Sequence, residues 1–304
     1  MIWVPYVELG SDEALFYDGT GATPSASSSV TFWAMPHPID GKALEVLSAM
    51  TALEVLQLSS SGIDHVAPLL PDTVMLCNAP HLRAASTAEV AICLILVALN
   101  DIRNWLAVQR ARSWTWLDPR RGLDGRTVLL VGYGEVGRAI HRRLAGFEIE
   151  VLAVAAREQP GVIPVRRLRE VIPQADVIVA ALPLYSETAR LFDAKVFALM
   201  QPGTLFVNVS RGEIVDTSAL LAALHSGHIS AALDVTDPEP LPDAHPLWTA
   251  PGVIISPHMG GNFEGLHARA RAYIAEQIGR YSAGEPLRFV VEPRVRARYR
   301  GAQR

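Results

Sequence analysis

The chain has 304 residues, half of them hydrophobic, and a formal net charge of −4. One domain takes roughly 100–200 residues, so this length accommodates two. The apolar content and nearly balanced charge exclude a disordered chain or a nucleic-acid coat and predict a globular protein with a large core.

Taken in order, residues 2–7 and 30–35 read as strands, and the Gly-, Ser- and Thr-rich stretch at 19–29 reads as a mobile loop between them. Residues 43–50 carry apolar side chains at helical spacing, and 54–58 and 73–77 read as further strands. This alternation predicts a parallel sheet with helices on its faces. Ser86-Thr87-Ala88-Glu89 has the form of a capping box and opens a long helix running to Ile102 or so. Its apolar run at 90–99 falls short of the ~20 residues that span a bilayer, so it reads as a buried helix and not as a membrane span. The N-terminus, Met1-Ile2-Trp3-Val4-Pro5, shows no basic n-region, which predicts no secretory leader and a cytoplasmic protein. Cys77 and Cys93 sit in apolar sequence and read as buried free thiols. Residues 114–119, with Trp114 and Trp116, read as an irregular arm.

The most informative stretch follows. Val128-Leu129-Leu130-Val131 reads as a strand buried on both faces, Gly132-Tyr133-Gly134-Glu135-Val136-Gly137 follows at once, and residues 138–144 read as a helix. Strand, glycine turn and helix in this order make a GxGxxG match a dinucleotide-binding signature. Gly132 makes the tight turn, Gly134 admits a pyrophosphate to the backbone, and Gly137 lets the helix pack closely. Strand signals recur at 150–154, 176–180, 204–208, 229–234 and 253–256, which predicts a doubly wound sheet from 127 to 257. Residues 263–281 read as a second long helix, ended by Gly284-Glu285-Pro286. The remainder is too short for a domain and is expected to return onto the first one. The domains expected are therefore 1–96 with 268–304 for substrate and 97–267 for the dinucleotide, with a cleft between them. Arg294, Arg296, Arg298, Arg300 and Arg304 read as a solvated terminus, so no nucleic-acid partner is expected.

Three segments fall just past strand ends of the second domain, where ligands of open α/β sheets bind: 208–216, 232–242 and 256–261. Arg211 offers a permanent charge with forked donors suited to a carboxylate. His258 exchanges a proton near neutral pH, and Glu239 can hold its imidazole in one tautomer. A cation, a proton donor and an orienting carboxylate beside a nicotinamide are the parts that reduce a 2-oxo acid.

These residues carry a family resemblance. The ordered set Ser59-Ser60-Ser61-Gly62-Ile63-Asp64, 131–137, Leu182-Pro183-Leu184 with Glu187-Thr188, 208–216, 233–242 and 257–261 resembles the D-isomer specific 2-hydroxyacid dehydrogenases, most closely the short glyoxylate and hydroxypyruvate reductases. The resemblance implies an α/β fold of two domains, a Rossmann domain with a doubly wound parallel sheet and a flavodoxin-like substrate domain, joined by two long helices. It implies Arg211, Glu239 and His258 as the catalytic trio, and a substrate carboxylate held by backbone N–H groups at Ser60, Ser61 and Gly62 and by Arg211. The cofactor is expected along 132–137, at Arg157, Leu182, Pro183, Val209, Ser210 and Gly260, and at Asp234 beside the nicotinamide carboxamide. The resemblance further implies a homodimer acting on a small 2-oxo acid, with no metal.

Many members end the second nucleotide strand with an aspartate that binds the ribose hydroxyls of NAD. Here Ala155 stands at that place and Arg157 lies two residues on, which predicts NADP over NAD. The same fold and trio also occur in NAD(H)-binding corepressors, so a redox-sensing protein without turnover is the alternative, and a dehydrogenase of a one-carbon or inorganic acid a third reading. Trp33, Met35, His37, Trp114 and Trp116 are expected as core or interface residues, with shaping of the substrate end the other possibility.

Overall fold

The computed structural model describes residues 1–6, 9, 14–16, 27–37, 39 and 41–299. Most of the stretch read as a loop at 19–29, together with Val7, Arg300 and Arg304, lies outside the described residues. The chain forms two compact units, Met1–Arg83 with Phe263–Arg304, and Ala84–Asn262.

The first unit holds five strands: β1 Ile2–Val4, β2 Ala14–Phe16, β3 Phe32–Ala34, β4 Val55–Gln57 and β5 Met75–Cys77. All pairs are parallel and the order is β2-β1-β3-β4-β5. That is the flavodoxin order, with its reversal between the first and third strands. β1 ends before Pro5 and β3 shortly before Pro36, because proline has no N–H to continue a ladder. The predicted strands at 2–7 and 30–35 shorten accordingly, and the three-residue β2 is too brief to show alternation. Trp33 and Met35 are fully buried, with Trp33 meeting Trp3 edge-on at 6.4 Å between ring centroids.

Helix Leu266–Ser282 packs Ala270, Tyr273 and Ile274 onto this unit. Its buried Gln277 donates to Gln57 Oε1 (2.6 Å) and to the Arg288 carbonyl (3.1 Å). The chain then runs antiparallel beside β5, where the Val291 N–H donates to the Leu76 carbonyl (2.8 Å). Arg296 departs from the solvated terminus expected for it. It is 3% exposed, and its Nη atoms donate to the carbonyls of Leu70, Pro71 and Val74 at 2.7–2.9 Å.

The second unit holds seven parallel strands: β6 Thr127–Val131, β7 Glu150–Ala155, β8 Ile163–Pro164, β9 Val177–Ala180, β10 Thr204–Asn208, β11 Ile229–Leu233 and β12 Val253–Ile255. Their order is β12-β11-β10-β9-β6-β7-β8, so the winding reverses between β6 and β9. Val128 and Leu130 face one apolar layer, and Leu129 and Val131 the other. A strand covered on both faces reads as an unbroken apolar run for this reason.

Helix Pro80–Leu99 begins six residues before Ser86, with proline at its first position, where a missing N–H costs nothing. The capping-box expectation therefore fails, and Glu89 pairs with Arg143 instead (3.0 Å). Ala88, Ala91, Ile95 and Leu99 pack with Val128 and Leu130 of the sheet, which groups residues 84–96 with the second unit where the sequence puts a boundary after 96. Cys93 lies on the opposite helical face and is exposed, unlike the buried thiol expected. Cys77 is buried, and burial pushes its thiol up to about 12. Among the described residues this is the one helix long and apolar enough to cross a membrane. It ends where Asp101 adopts a left-handed conformation (φ 52°), and helix Ile102–Arg110, which buries no residue, follows. Residues 111–120 form no helix or strand, and Trp114 and Trp116 are 94% and 91% exposed.

Candidate active site

The turn after β6 lies at the reversal of the sheet. Gly132 has φ +104°, and a Cβ there would sit 2.2 Å from the Ala181 carbonyl oxygen, so the turn is pressed against the segment that carries Leu182 and Pro183. A Cβ on Gly137 would sit 2.1 Å from the Gly132 oxygen. A Cβ on Gly134, by contrast, would meet nothing within 4 Å. Helix Glu135–Leu144 opens there without a side-chain cap, and the N–H groups of Tyr133, Gly134, Glu135, Val136 and Gly137 donate to no described residue. Open backbone and unsatisfied donors at the positive end of a helix fit the pyrophosphate of a dinucleotide. Arg138 Nη2 holds Glu135 (2.7 Å), and the Tyr133 hydroxyl pairs with His141 Nδ1 (2.6 Å). Ala155 closes β7 as a buried residue. Arg157 beyond it is exposed and forms no hydrogen bond or ion pair with any described residue.

Three loops carry the trio. After β10, Asn208 is buried. Its Oδ1 accepts from the Ser210 N–H and hydroxyl, and its Nδ2 donates to the Arg211 carbonyl (2.8 Å). That pattern bends residues 208–211 into a fixed turn, with Val209 and Ser210 buried and Arg211 partly exposed. Gly212 makes the next step: a Cβ on it would lie 1.9 Å from the Thr236 carbonyl oxygen, so the Arg211 loop rests directly on the loop after β11.

Asp234, 2% exposed, begins that second loop. Its Oδ1 accepts from the Ser256 hydroxyl (2.6 Å) and the Met259 N–H (2.8 Å), and its Oδ2 accepts from the Gly260 N–H (2.8 Å). Its own carbonyl accepts from the His258 N–H (2.8 Å). Asp234 thus anchors the turn that presents His258, whose backbone is left-handed at φ 52°. Gly260 is buried, and its carbonyl accepts from Thr87 Oγ1 (3.0 Å). His258 Nδ1 meets Glu239 Oε1 at 2.5 Å, both side chains being about half exposed. Partial burial pushes the Glu239 carboxyl up. Hydrogen bonding and charge from His258, a backbone hydrogen bond at Thr236 and the Arg211 charge outweigh that, so it lies below the usual carboxylate range. Glu239 is therefore within electrostatic reach of both Arg211 and His258.

The loop after β4 belongs to the first unit. The Ser59 carbonyl accepts from Arg83 Nε (3.4 Å), Ser60 from the Ala79 N–H (2.9 Å), Ser61 from Asn78 Nδ2 (2.9 Å) and Gly62 from the Ser60 hydroxyl (3.1 Å). With the carbonyls tied back, the N–H groups of Ser60, Ser61 and Gly62 donate to no described residue. Sequence reasoning missed the supports Asn208, Gly212, Ser256, Asn78 and Arg83. The first three stood inside quoted runs; Asn78 and Arg83 carry no local signal.

The family described as D-isomer specific 2-hydroxyacid dehydrogenase, NAD binding domain, matches residues 92–260. The chain belongs to this family. Members are NAD(P)-dependent 2-hydroxyacid dehydrogenases. The glyoxylate reductase/hydroxypyruvate reductase of Homo sapiens is 32% identical over 263 residues, covering 82% of this chain and 79% of the relative. D-3-phosphoglycerate dehydrogenase of Mycobacterium leprae is 34% identical over 254 residues, and the chain spans 47% of its length. Among solved structures, a D-isomer specific 2-hydroxyacid dehydrogenase from Xanthobacter autotrophicus Py2, in complex with NADPH and MES, superposes with a TM-score of 0.79 at 28% identity over 97% of this chain and 99% of that one.

The first two glycines of the turn should respond differently. Gly134→Ala has room, so urea unfolding is expected to be unchanged while fluorescence titration shows dinucleotide binding weakened by about tenfold. Gly132→Ala meets backbone and is expected to lose about 1–3 kcal/mol of stability. Full affinity in Gly134→Ala would place the phosphates elsewhere.

Proposed function

We propose that this protein reduces a small 2-oxo acid, of the glyoxylate or hydroxypyruvate kind, with NADPH as the preferred cofactor. The observation that carries the reading is the 2.5 Å contact of His258 Nδ1 with Glu239, within reach of the Arg211 charge and anchored by Asp234. When bound, the nicotinamide supplies the two-electron reductant. Residues 132–137 would hold its pyrophosphate, with Leu182, Pro183, Val209 and Ser210 flanking it. Arg211 pairs with the anionic substrate and draws electron density from its oxo group. His258 delivers a proton from Nε2 to the oxo oxygen, while Glu239 holds Nδ1 and stabilises the charged ring. The N–H groups of Ser60, Ser61 and Gly62 are suited to the substrate carboxylate. In hydroxy-acid oxidation His258 takes the proton instead.

His258→Ala is expected to lower kcat by about 10²–10⁴-fold in steady-state assays and to leave dinucleotide affinity unchanged. Unchanged turnover would remove His258 from the reaction. The Glu239 carboxyl, held low, stays charged through the neutral range and loses its charge only as pH falls below the ordinary carboxylate range. Turnover that depends on this anion should therefore fall as pH drops through the range in which Glu239 takes up its proton, and Glu239→Gln is expected to lower kcat about tenfold or more at neutral pH while leaving dinucleotide affinity unchanged.

The NADPH preference is supported by buried Ala155, which removes a carboxylate that would repel a 2′-phosphate, and by exposed Arg157, which can pair with one. Wild type should favour NADPH over NADH in kcat/KM, and Arg157→Ala should cost NADPH about tenfold and NADH little. A clear NADH preference in wild type would reject this part of the reading.

We also propose that two copies pair through residues 102–117. Trp114 and Trp116 stand almost fully in water, and Trp105 and Leu106 of the preceding helix are exposed too, large apolar side chains of the kind that mark an interface. Sedimentation is expected to give twice the 33.0 kDa chain mass, and Trp114→Ser with Trp116→Ser to return it to one chain. A single-chain wild type would overturn the pairing.

A further inference from the structure

We propose that Thr87 is a positioning residue for His258: its hydroxyl, by holding the Gly260 carbonyl, fixes the turn from which the imidazole hands over its proton. The inference rests on the function proposed above and concerns side chains of the second unit alone. Thr87 lies well inside helix Pro80–Leu99. A threonine there is mildly unfavourable, and its hydroxyl ordinarily turns back onto a carbonyl of its own helix. Thr87 Oγ1 instead donates to the Gly260 carbonyl (3.0 Å), 173 residues on. Its neighbours hold the helix in place: Ala88 and Ala91 pack with Val128 and Leu130 of the sheet, and Glu89 pairs with Arg143 (3.0 Å). A fixed element therefore presents the hydroxyl.

Gly260 is held from two sides. Its N–H donates to Asp234 Oδ2 (2.8 Å) and its carbonyl accepts from Thr87. A Cβ on it would lie 2.8 Å from Asp234 Oδ2 and 3.2 Å from Thr87 Cγ2, so the two side chains clasp the glycine between them. The other backbone anchors of the turn reach a single place, the end of β11: the Ser256 N–H donates to the Leu233 carbonyl, the His258 N–H to the Asp234 carbonyl, and the Met259 N–H to the Asp234 carboxylate, each at 2.8 Å. Bonds gathered at one place leave the turn free to pivot about it. An attachment to the helix removes that freedom. It does so just before the chain leaves the second unit at Asn262, beyond which no element of that unit could hold the turn. His258 keeps a left-handed backbone (φ 52°), a conformation that persists where the surroundings impose it. A misplacement of about 1 Å at a reacting group can cost about 100-fold in rate, so removing a pivot bears directly on turnover.

Thr87→Val keeps the shape of the side chain and loses the donor, Thr87→Ala loses both, and Thr87→Ser keeps the donor. Steady-state rates of the full-length variants are to be measured on a panel of 2-oxo acids with NADPH, and dinucleotide affinity by fluorescence. Thr87→Val and Thr87→Ala are expected to lower kcat about tenfold or more while KM and dinucleotide affinity stay within about twofold. Thr87→Ser should remain within about twofold of wild type. The same Thr87→Val change made in His258→Ala should alter the residual rate by less than about twofold, because the bond acts through the imidazole. Full kcat in Thr87→Val, or an equal loss with and without His258, overturns the proposal. So does a loss of dinucleotide affinity as large as the loss of kcat, which would make Thr87 a support for the cofactor. If wild type reduces no acid of the panel, the proposed activity fails, and proton NMR decides alone. The imidazole signal that vanishes in His258→Ala identifies His258. Displacement of that signal in Thr87→Val but not in Thr87→Ser upholds the positioning role, and an unmoved signal rejects it.

Discussion

Both oxygens of the Asp234 carboxylate are committed to the turn at 256–260, and the position of His258 depends on that commitment. Removing a carboxylate from water costs several kcal/mol unless donors surround it. Here the Ser256 hydroxyl and the N–H groups of Met259 and Gly260 do so at 2.6–2.8 Å. Each donor lies in the segment that must be shaped, so the cost of burying the charge enforces one backbone path. His258 accepts a left-handed conformation on that path, which a residue of its size avoids when the surroundings do not impose it. The imidazole is thus aimed by a buried anion through the backbone, and by Glu239 through its ring. The resemblance placed Asp234 beside a nicotinamide carboxamide; any such contact must use the lone pairs that the turn leaves.

A second constraint is the absence of a side chain at Gly212. The Arg211 loop and the loop after β11 come so near that a methyl group would overlap the Thr236 carbonyl. Backbone contact of this kind transmits position without flexible side chains between. Together with the Asn208 bonds, it brings Arg211 near enough for its charge to lower the Glu239 carboxyl. Three loops far apart in sequence then behave as one rigid shelf on the ends of β10, β11 and β12. Donors and charges fixed at folding need no rearrangement when charge develops on a substrate, which is where electrostatic catalysis gains most.

The second unit was legible because its strands are buried on both faces and its glycines sit where spacing alone identifies them. Val128 to Gly137 needed no tertiary information. The first unit was less so. β2 is three residues long, β1 and β3 stop near prolines, and the start of the helix at Pro80 was masked by a better-looking cap at Ser86. Arg296 resembled its neighbours in a basic tail, yet the carbonyls of Leu70, Pro71 and Val74, more than 200 residues away, draw it inside. Cys93 shared the apolar setting of Cys77, but Cys77 ends the buried strand β5 whereas helix phase leaves Cys93 exposed. Pattern reveals periodicity and local turns; it is blind to partners that the fold brings from a distance.

The loop at 59–62 shows how such partners shape an unremarkable stretch. Ser-Ser-Ser-Gly has no intrinsic preference for showing its N–H groups to a ligand. The orientation comes from the other side of each peptide, where Arg83, Ala79, Asn78 and the Ser60 hydroxyl each bind a carbonyl. A planar peptide whose oxygen is fixed must direct the N–H of the next residue roughly the opposite way. Four acceptors satisfied inside therefore become a row of donors outside. An anion that meets this row finds the ordering entropy already met by the fold, as at other pre-organised sites. Two of the four supports, Asn78 and Ala79, follow β5, the strand beside β4, and Arg83 lies on the helix that starts at Pro80. The parallel sheet itself, by bringing consecutive strand ends together, supplies the groups that leave the N–H groups of a serine-rich loop facing outward.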